Sequence, residues 1–169
     1  MEHSVKKVRP EDFTRNPFDL IGKQWLLLAA EKDGKTNAMT CSWGGLGVLW
    51  RKNVAFIFVR KSRYTKEFMD AAEMFSLSFF DDPGHKMLSY FGKVSGRDED
   101  KIAKAGLTMT EYEGAPCFEQ AQLTMVCRKL YAQDQNPELF SDKSILDSCY
   151  GDNDYHCMFV GEILEILEK

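Results

Sequence analysis

The sequence predicts a mainly β protein of one domain, a closed or partly closed antiparallel barrel with helical insertions. Segments rich in β-branched and aromatic residues lie at both ends of the 169-residue chain. They do not alternate regularly with helices, as the parallel sheet of a doubly wound fold requires. No internal repeat, low-complexity tract or long Gly/Ser/Pro linker divides the chain, so residues 1–169 are read as a single domain.

In chain order, "KQWLLLAAE" (23–31) reads as a strand, and the Asp-Gly pair of "KDGK" turns it back into "TNAMTCSW" (36–43), forming a hairpin. "NVAFIFVR" (53–60) has the β-branched and aromatic content of a third strand, and "MFSLSFF" (74–80), apolar residues alternating with Ser, that of a fourth. Between them, "YTKEFMDAAEM" (64–74) sets Phe68, Ala71 and Ala72 at helical spacing, with Thr65 as the expected N-cap. "PGHKMLSYFGKV" (83–94) predicts a helix with Pro83 near its start, and "SGRDEDKIAKAG" (95–106) another, opened by Ser95 and closed by Gly106. "QAQLTMVCRKLYAQ" (120–133) and "YHCMFVGEILEILE" (155–168) read as long strands, with a short helix in "KSILDSCY" (143–150) between them.

Composition narrows the function. A hydrophobic content of 44% supplies one good core. A formal net charge of −4 argues against a nucleic-acid partner, which calls for a basic face. "MEHSVKKVRPEDF" lacks the apolar core of a secretory signal, and no stretch approaches the roughly 20 apolar residues that span a bilayer, so a cytoplasmic location and no membrane partner are expected. The five cysteines show no C-x-x-C spacing, and His3, His85 and His156 are too scattered for a metal centre. "GGLGVLW" (44–50) has Trp50 where a dinucleotide fingerprint ends in Gly, and "GKVSGRDEDK" lacks the order of a phosphate loop. No G-x-S-x-G elbow offers a nucleophile.

The stretch "RKSRYT" (60–65) places three cations and three hydroxyls at a strand-to-helix junction of an acidic chain. A helix N-terminus presents unpaired N–H groups, and Arg adds a planar fork, so Arg60, Lys61, Ser62, Arg63 and Thr65 together suit a terminal phosphate. The competing reading is a solvated turn whose cations face water. The owner of such a phosphate must reach a second polar site, for which "TNAMTCSWGG" is the candidate. Backbone amides around Thr40, Cys41, Ser42 and Trp43 are the kind of edge a flavin ring needs, N–H donors near its N5 and O4. The competing reading there is an ordinary strand with a Gly-Gly bend.

"NAMTCSW", "FVRKSRYT", "FGKVSGRDEDK" and "YHCMFVGEI", in that order and at these spacings, resemble the flavin reductase-like, FMN-binding split-barrel family, including flavoredoxin-type proteins. The likeness runs from about Leu20 to Ile163. It implies a homodimer of six-stranded antiparallel Greek-key split barrels with FMN near the dimer interface. Carried over by residue, it places the flavin ring and ribityl chain against Met39, Thr40, Cys41, Ser42 and Trp43, and the phosphate near Arg60, Ser62, Arg63, Tyr64 and Thr65. It has Tyr90, Gly92 and Ser95 closing the groove, with Lys101 at the cofactor's polar end. His156 falls where family members often have "GDH" and this sequence has "NDYH", and it would approach the nicotinamide of NADH or NADPH. The implied activity is an NAD(P)H-dependent flavin reductase passing electrons to a flavin or protein acceptor. The alternatives are a non-catalytic FMN-binding electron carrier and a barrel of similar shape holding another ligand, such as haem.

Overall fold

A computed structural model describes residues 5–169; His3 lies outside them. The chain begins with β1 (Lys6–Val8) and α1 (Pro17–Asp19), capped by the Asn16 side chain, which accepts from the Phe18 N–H at 3.0 Å. A wide helical turn, Leu20–Gln24, then leads to β2 (Leu26–Lys32), β3 (Lys35–Cys41), β4 (Gly44–Leu49) and β5 (Lys52–Arg60). The middle holds α2 (Tyr64–Ala71), β6 (Met74–Phe79), α3 (Lys86–Lys93), α4 (Lys101–Lys104), and a β7 (Met109–Tyr112) and β8 (Ala115–Phe118) hairpin. Last come β9 (Leu123–Asp134), α5 (Ser144–Cys149) and β10 (His156–Glu168). Among the described residues, no helix is long and apolar enough to cross a membrane.

Seven strands pair in the order β3-β2-β6-β9-β10-β5-β4, all antiparallel, and β1 adds to β10 beyond β5. The sheet thus has eight strands, and the β7–β8 hairpin stands apart, where six strands were expected. β3 and β4 sit at opposite ends of this order, yet only Ser42 and Trp43 separate them in sequence. So short a link reaches at most about 11 Å, so the sheet must curl until its ends meet. The result is a barrel split at that corner.

β2 explains how the layers form. Its run of five buried residues turns Leu26, Leu28 and Ala30 into the barrel, with Ile57, Phe75, Met125 and Phe159, and Leu27 and Ala29 outward. The outward pair is covered by Leu88 and Phe91 of α3, by Phe80 and by Phe118. Both faces of this strand are therefore buried, which is why its sequence is a continuous apolar run and not an alternation. Phe68 and Met69 of α2 pack into the barrel core.

The Asp33-Gly34 turn is as expected, with φ of 52° and 73°. Several boundaries differ from the sequence reading. Trp25, at φ 65°, delays β2, expected from Lys23, to Leu26. Gly84 and His85, both left-handed, hold back α3 to Lys86. Asp100, not Ser95, caps α4 by accepting from the Ala103 N–H at 3.0 Å, while Gly106 ends it as expected. Thr65 is not the N-cap of α2 either. Arg63 holds that place, and Thr65, the second residue of the helix, is buried and accepts from Asn37 Nδ2 at 2.8 Å.

Candidate functional site

The split corner holds a cleft of about 220 Å³ lined by Met39, Thr40, Cys41, Ser42, Trp43, Phe58, Arg60, Arg63 and His156. Gly44 is required beside it: a Cβ there would lie 2.5 Å from the Phe56 carbonyl oxygen, so β4 could not leave the corner with a larger residue. Antiparallel pairing of β5 with β10 sets His156 opposite Arg60 and Met158 opposite Phe58. Strand register therefore brings the distant His156 to the predicted flavin loop. Its ring centroid is 5.3 Å from that of Trp43 and 6.3 Å from that of Phe58.

A second hollow, about 140 Å³, adjoins the first at Arg63 and is lined by Asn37, Ser62, Arg63, Tyr64, Thr65, Lys93, Ser95, Gly96, Arg97 and Lys101. It holds four cations and four hydroxyls and no carboxylate. Lys101 is 3% exposed, and its ammonium donates to the Phe91 carbonyl at 3.2 Å. The Arg63 guanidinium donates to the same carbonyl at 3.1 Å and to Gly92 O at 2.7 Å, closing the C-terminal turn of α3. Burial, and then the nearby Arg63 charge, push the Lys101 pKa down to about 8. The buried Lys101 ammonium and the half-buried Arg63 guanidinium share one neutral acceptor with no carboxylate in the hollow, and a phosphate dianion fits that donor set. A wider groove of about 740 Å³ on the far side of Lys101 carries Glu31, Glu99, Asp100 and Glu111, which suit it poorly to an anion.

The cluster "RKSRYT" divides between two tasks. Arg60 donates to the carbonyls of Cys149 (2.9 Å) and Asp154 (3.0 Å), Lys61 pairs with Asp134 at 3.0 Å, and Ser62 binds the Asp154 carboxylate through both its N–H and its hydroxyl. These three residues anchor the segment to the end of β9 and to the stretch that follows α5. Arg63, Tyr64 and Thr65 turn into the hollow. Of the other predicted residues, Ser95 and Lys101 meet them there, whereas Tyr90 and Gly92 line neither cavity. Gly92 lends its carbonyl to Arg63, and the Tyr90 hydroxyl is buried without a hydrogen-bond partner.

His156 is 8% exposed, and burial together with Arg60 pushes its pKa down to about 4, so its imidazole is neutral at neutral pH. Burial pushes the Cys41 thiol up to about 12, which leaves it an inert packing group. Phe58, Asn37, Lys93, Gly96 and Arg97 were not among the predicted site residues. Phe58 had a usable signal, since it lies two positions before Arg60 and so on the same face of the strand. Arg97 had none, because its contacts with Glu67 (2.6 Å) and with the Tyr64 ring (4.7 Å) depend on the tertiary fold.

Comparison with solved structures finds flavoredoxin from Methanosarcina acetivorans at 26% identity and a TM-score of 0.66, covering 86% of this chain and 68% of that one. An FMN-binding domain of a flavin reductases-like enzyme from Shewanella baltica aligns over 98% of this chain and 77% of its own, at 16% identity and a TM-score of 0.69. An NADH:FAD oxidoreductase from Streptomyces globisporus, in complex with NAD and FAD fragments, shares the fold at 16% identity and a TM-score of 0.63, covering 86% of this chain and 74% of its own. Comparison with curated protein sequences finds no significant match. Residues 19–169 match the family described as flavin reductase like domain, and with the split barrel and its paired hollows the chain belongs to that family.

Proposed function

We propose that the chain binds FMN across the two hollows and works as an NAD(P)H-dependent flavin oxidoreductase. The observation that carries this reading is the carboxylate-free hollow of four cations, open at Arg63 onto a cleft walled by Trp43, Phe58 and His156. Arg63, Tyr64, Thr65, Ser95 and Lys101 would hold the phosphate, and Met39 to Trp43 would hold the ring and ribityl chain. When bound, the flavin supplies the redox chemistry, taking a hydride from a nicotinamide and passing electrons to a flavin or protein acceptor. The chain's residues bind, orient and exclude water. Trp43 and Phe58 give the cleft aromatic walls, and His156, neutral at physiological pH, completes them as a hydrogen-bonding group for the reductant.

The exposed apolar residues Trp43, Val48 and Trp50 along β4 support a homodimer that covers this edge. The likeness to flavoredoxin supports a second reading, an electron carrier that holds FMN but reacts poorly with nicotinamides. Anaerobic stopped-flow mixing of the FMN-loaded protein with NADH and with NADPH separates the two. Rapid bleaching of the flavin absorbance is expected, and a protein that stays yellow with both overturns the reductase reading. A colourless protein that added FMN fails to restore overturns both.

A further inference from the structure

The ring Nδ1 of His156 lies 2.6 Å from the Tyr150 hydroxyl. Tyr150 follows α5, is 4% exposed, and is held among Phe140, Tyr155 and the Arg60 guanidinium, which lies 5.3 Å over its ring. Gln135, just past β9, holds the His156 backbone in place. Its main-chain N–H donates to the His156 carbonyl at 2.9 Å, and its side-chain Oε1 accepts from the His156 main-chain N–H at 3.1 Å. Among the described residues the Tyr150 hydroxyl has one hydrogen-bond partner, the ring Nδ1, and a buried hydroxyl places its proton on the acceptor within reach. Gln135 stands beside that hydroxyl: burial raises the Tyr150 pKa, and the Gln135 side chain lowers it. The hydroxyl thus donates to Nδ1, which leaves the imidazole proton on Nε2.

We propose that Tyr150 and Gln135 are positioning residues that hold His156 as the neutral Nε2–H tautomer, so that the ring offers one fixed N–H donor to the carboxamide oxygen of a nicotinamide reductant. The positioning role rests on the reductase reading given above, whereas the tautomer does not. The charged and titratable groups facing the ring are Arg60 across the strand pair, Tyr150 after α5 and Asp154 in the loop before β10. Arg60 opposes protonation of the ring and Asp154 favours it, and burial outweighs both.

The test is nitrogen-15 NMR of the imidazole in the full chain, with and without added FMN. Wild type should show an unprotonated Nδ1 and a protonated Nε2 throughout the range from about pH 5 to 8 in which an ordinary histidine titrates. A protonated Nδ1 overturns the proposal. Tyr150→Phe should give a mixture of tautomers, and it should slow flavin bleaching by NADH about ten- to a hundredfold, as small displacements of a positioned group do. FMN affinity and reduction by dithionite should be unchanged. An unaltered tautomer in Tyr150→Phe overturns the proposal. Should that variant fail to fold, Gln135→Glu serves in its place: its carboxylate accepts from the Tyr150 hydroxyl, so the proton should move to Nδ1 and the His156 pKa should rise. A Gln135→Glu protein that keeps the wild-type tautomer likewise overturns the proposal. A wild type with the expected tautomer that neither nicotinamide reduces overturns the reductase reading and the positioning role with it, and leaves the tautomer assignment standing.

Discussion

Lys101, buried in a hollow without a carboxylate, is a destabilising cation that a phosphate would relieve. Its pKa is about 8 in the folded chain against an ordinary 10.5, so the unfolded chain binds more protons between those values. Stability of the ligand-free protein should therefore rise with pH from about 8 towards 10.5 on this residue's account, and Lys101→Met should abolish that rise. Urea denaturation of both proteins across the interval checks the sign. At the neighbouring Arg63, replacement by Ala should cost FMN binding roughly 1.5 to 3 kcal/mol, about one to two decades of affinity, while riboflavin, which lacks the phosphate, should bind nearly as before. Equal losses in the two titrations would remove Arg63 from the phosphate site. His156→Ala should retain FMN and dithionite reduction and slow reduction by NAD(P)H, as read by single-turnover bleaching. Residue types at the site were legible because a local cluster, "RKSRYT", stood out against an acidic chain. Its division into an anchoring half and a half that lines the cationic hollow was not, since Asp134, Asp152 and Asp154 reach it only through the fold.

Strands with a local signature were found from sequence and strands with unusual turns were missed. β4 and β5 are joined by Trp50 and Arg51, at φ 51° and 60°, a left-handed pair without the Asn or Gly that marks such turns. The β7–β8 turn, Glu113-Gly114, carries Glu in the first left-handed position, again outside the usual signal. In β10, Gly161 lies at a break in register with β9, and a Cβ there would sit 2.4 Å from Phe75 Cζ. Phe75 is a fully buried ring of the barrel core and has nowhere to retreat. Gly161→Ala should therefore destabilise the protein by about 1–3 kcal/mol, a shift visible in the urea midpoint. FMN affinity of the remaining folded fraction should be unchanged, because Gly161 lines neither hollow.

For the whole molecule, the absence of regular βαβ alternation was enough to indicate an antiparallel barrel, and the order of its strands was not legible, because the β5–β10 and β6–β9 pairs join segments far apart in sequence. The exposed β4 edge leads to an association prediction: sedimentation at micromolar concentration should give twice the 19.4 kDa chain mass, and a monomer with FMN bound would mean that one chain completes the groove. Strand order also sets a timetable. Met39 to Arg63 are made early, but the cleft they begin lacks its His156 wall until that residue is synthesised and β10 lies down beside β5. At ribosomal speeds of about 5–20 residues per second, that wait is on the order of 5 to 20 s. During it, the cleft stays open along the side that β10 will form, although every residue of the cationic hollow, from Asn37 to Lys101, has already been made. Enclosure of the ring end of a flavin therefore waits for β10.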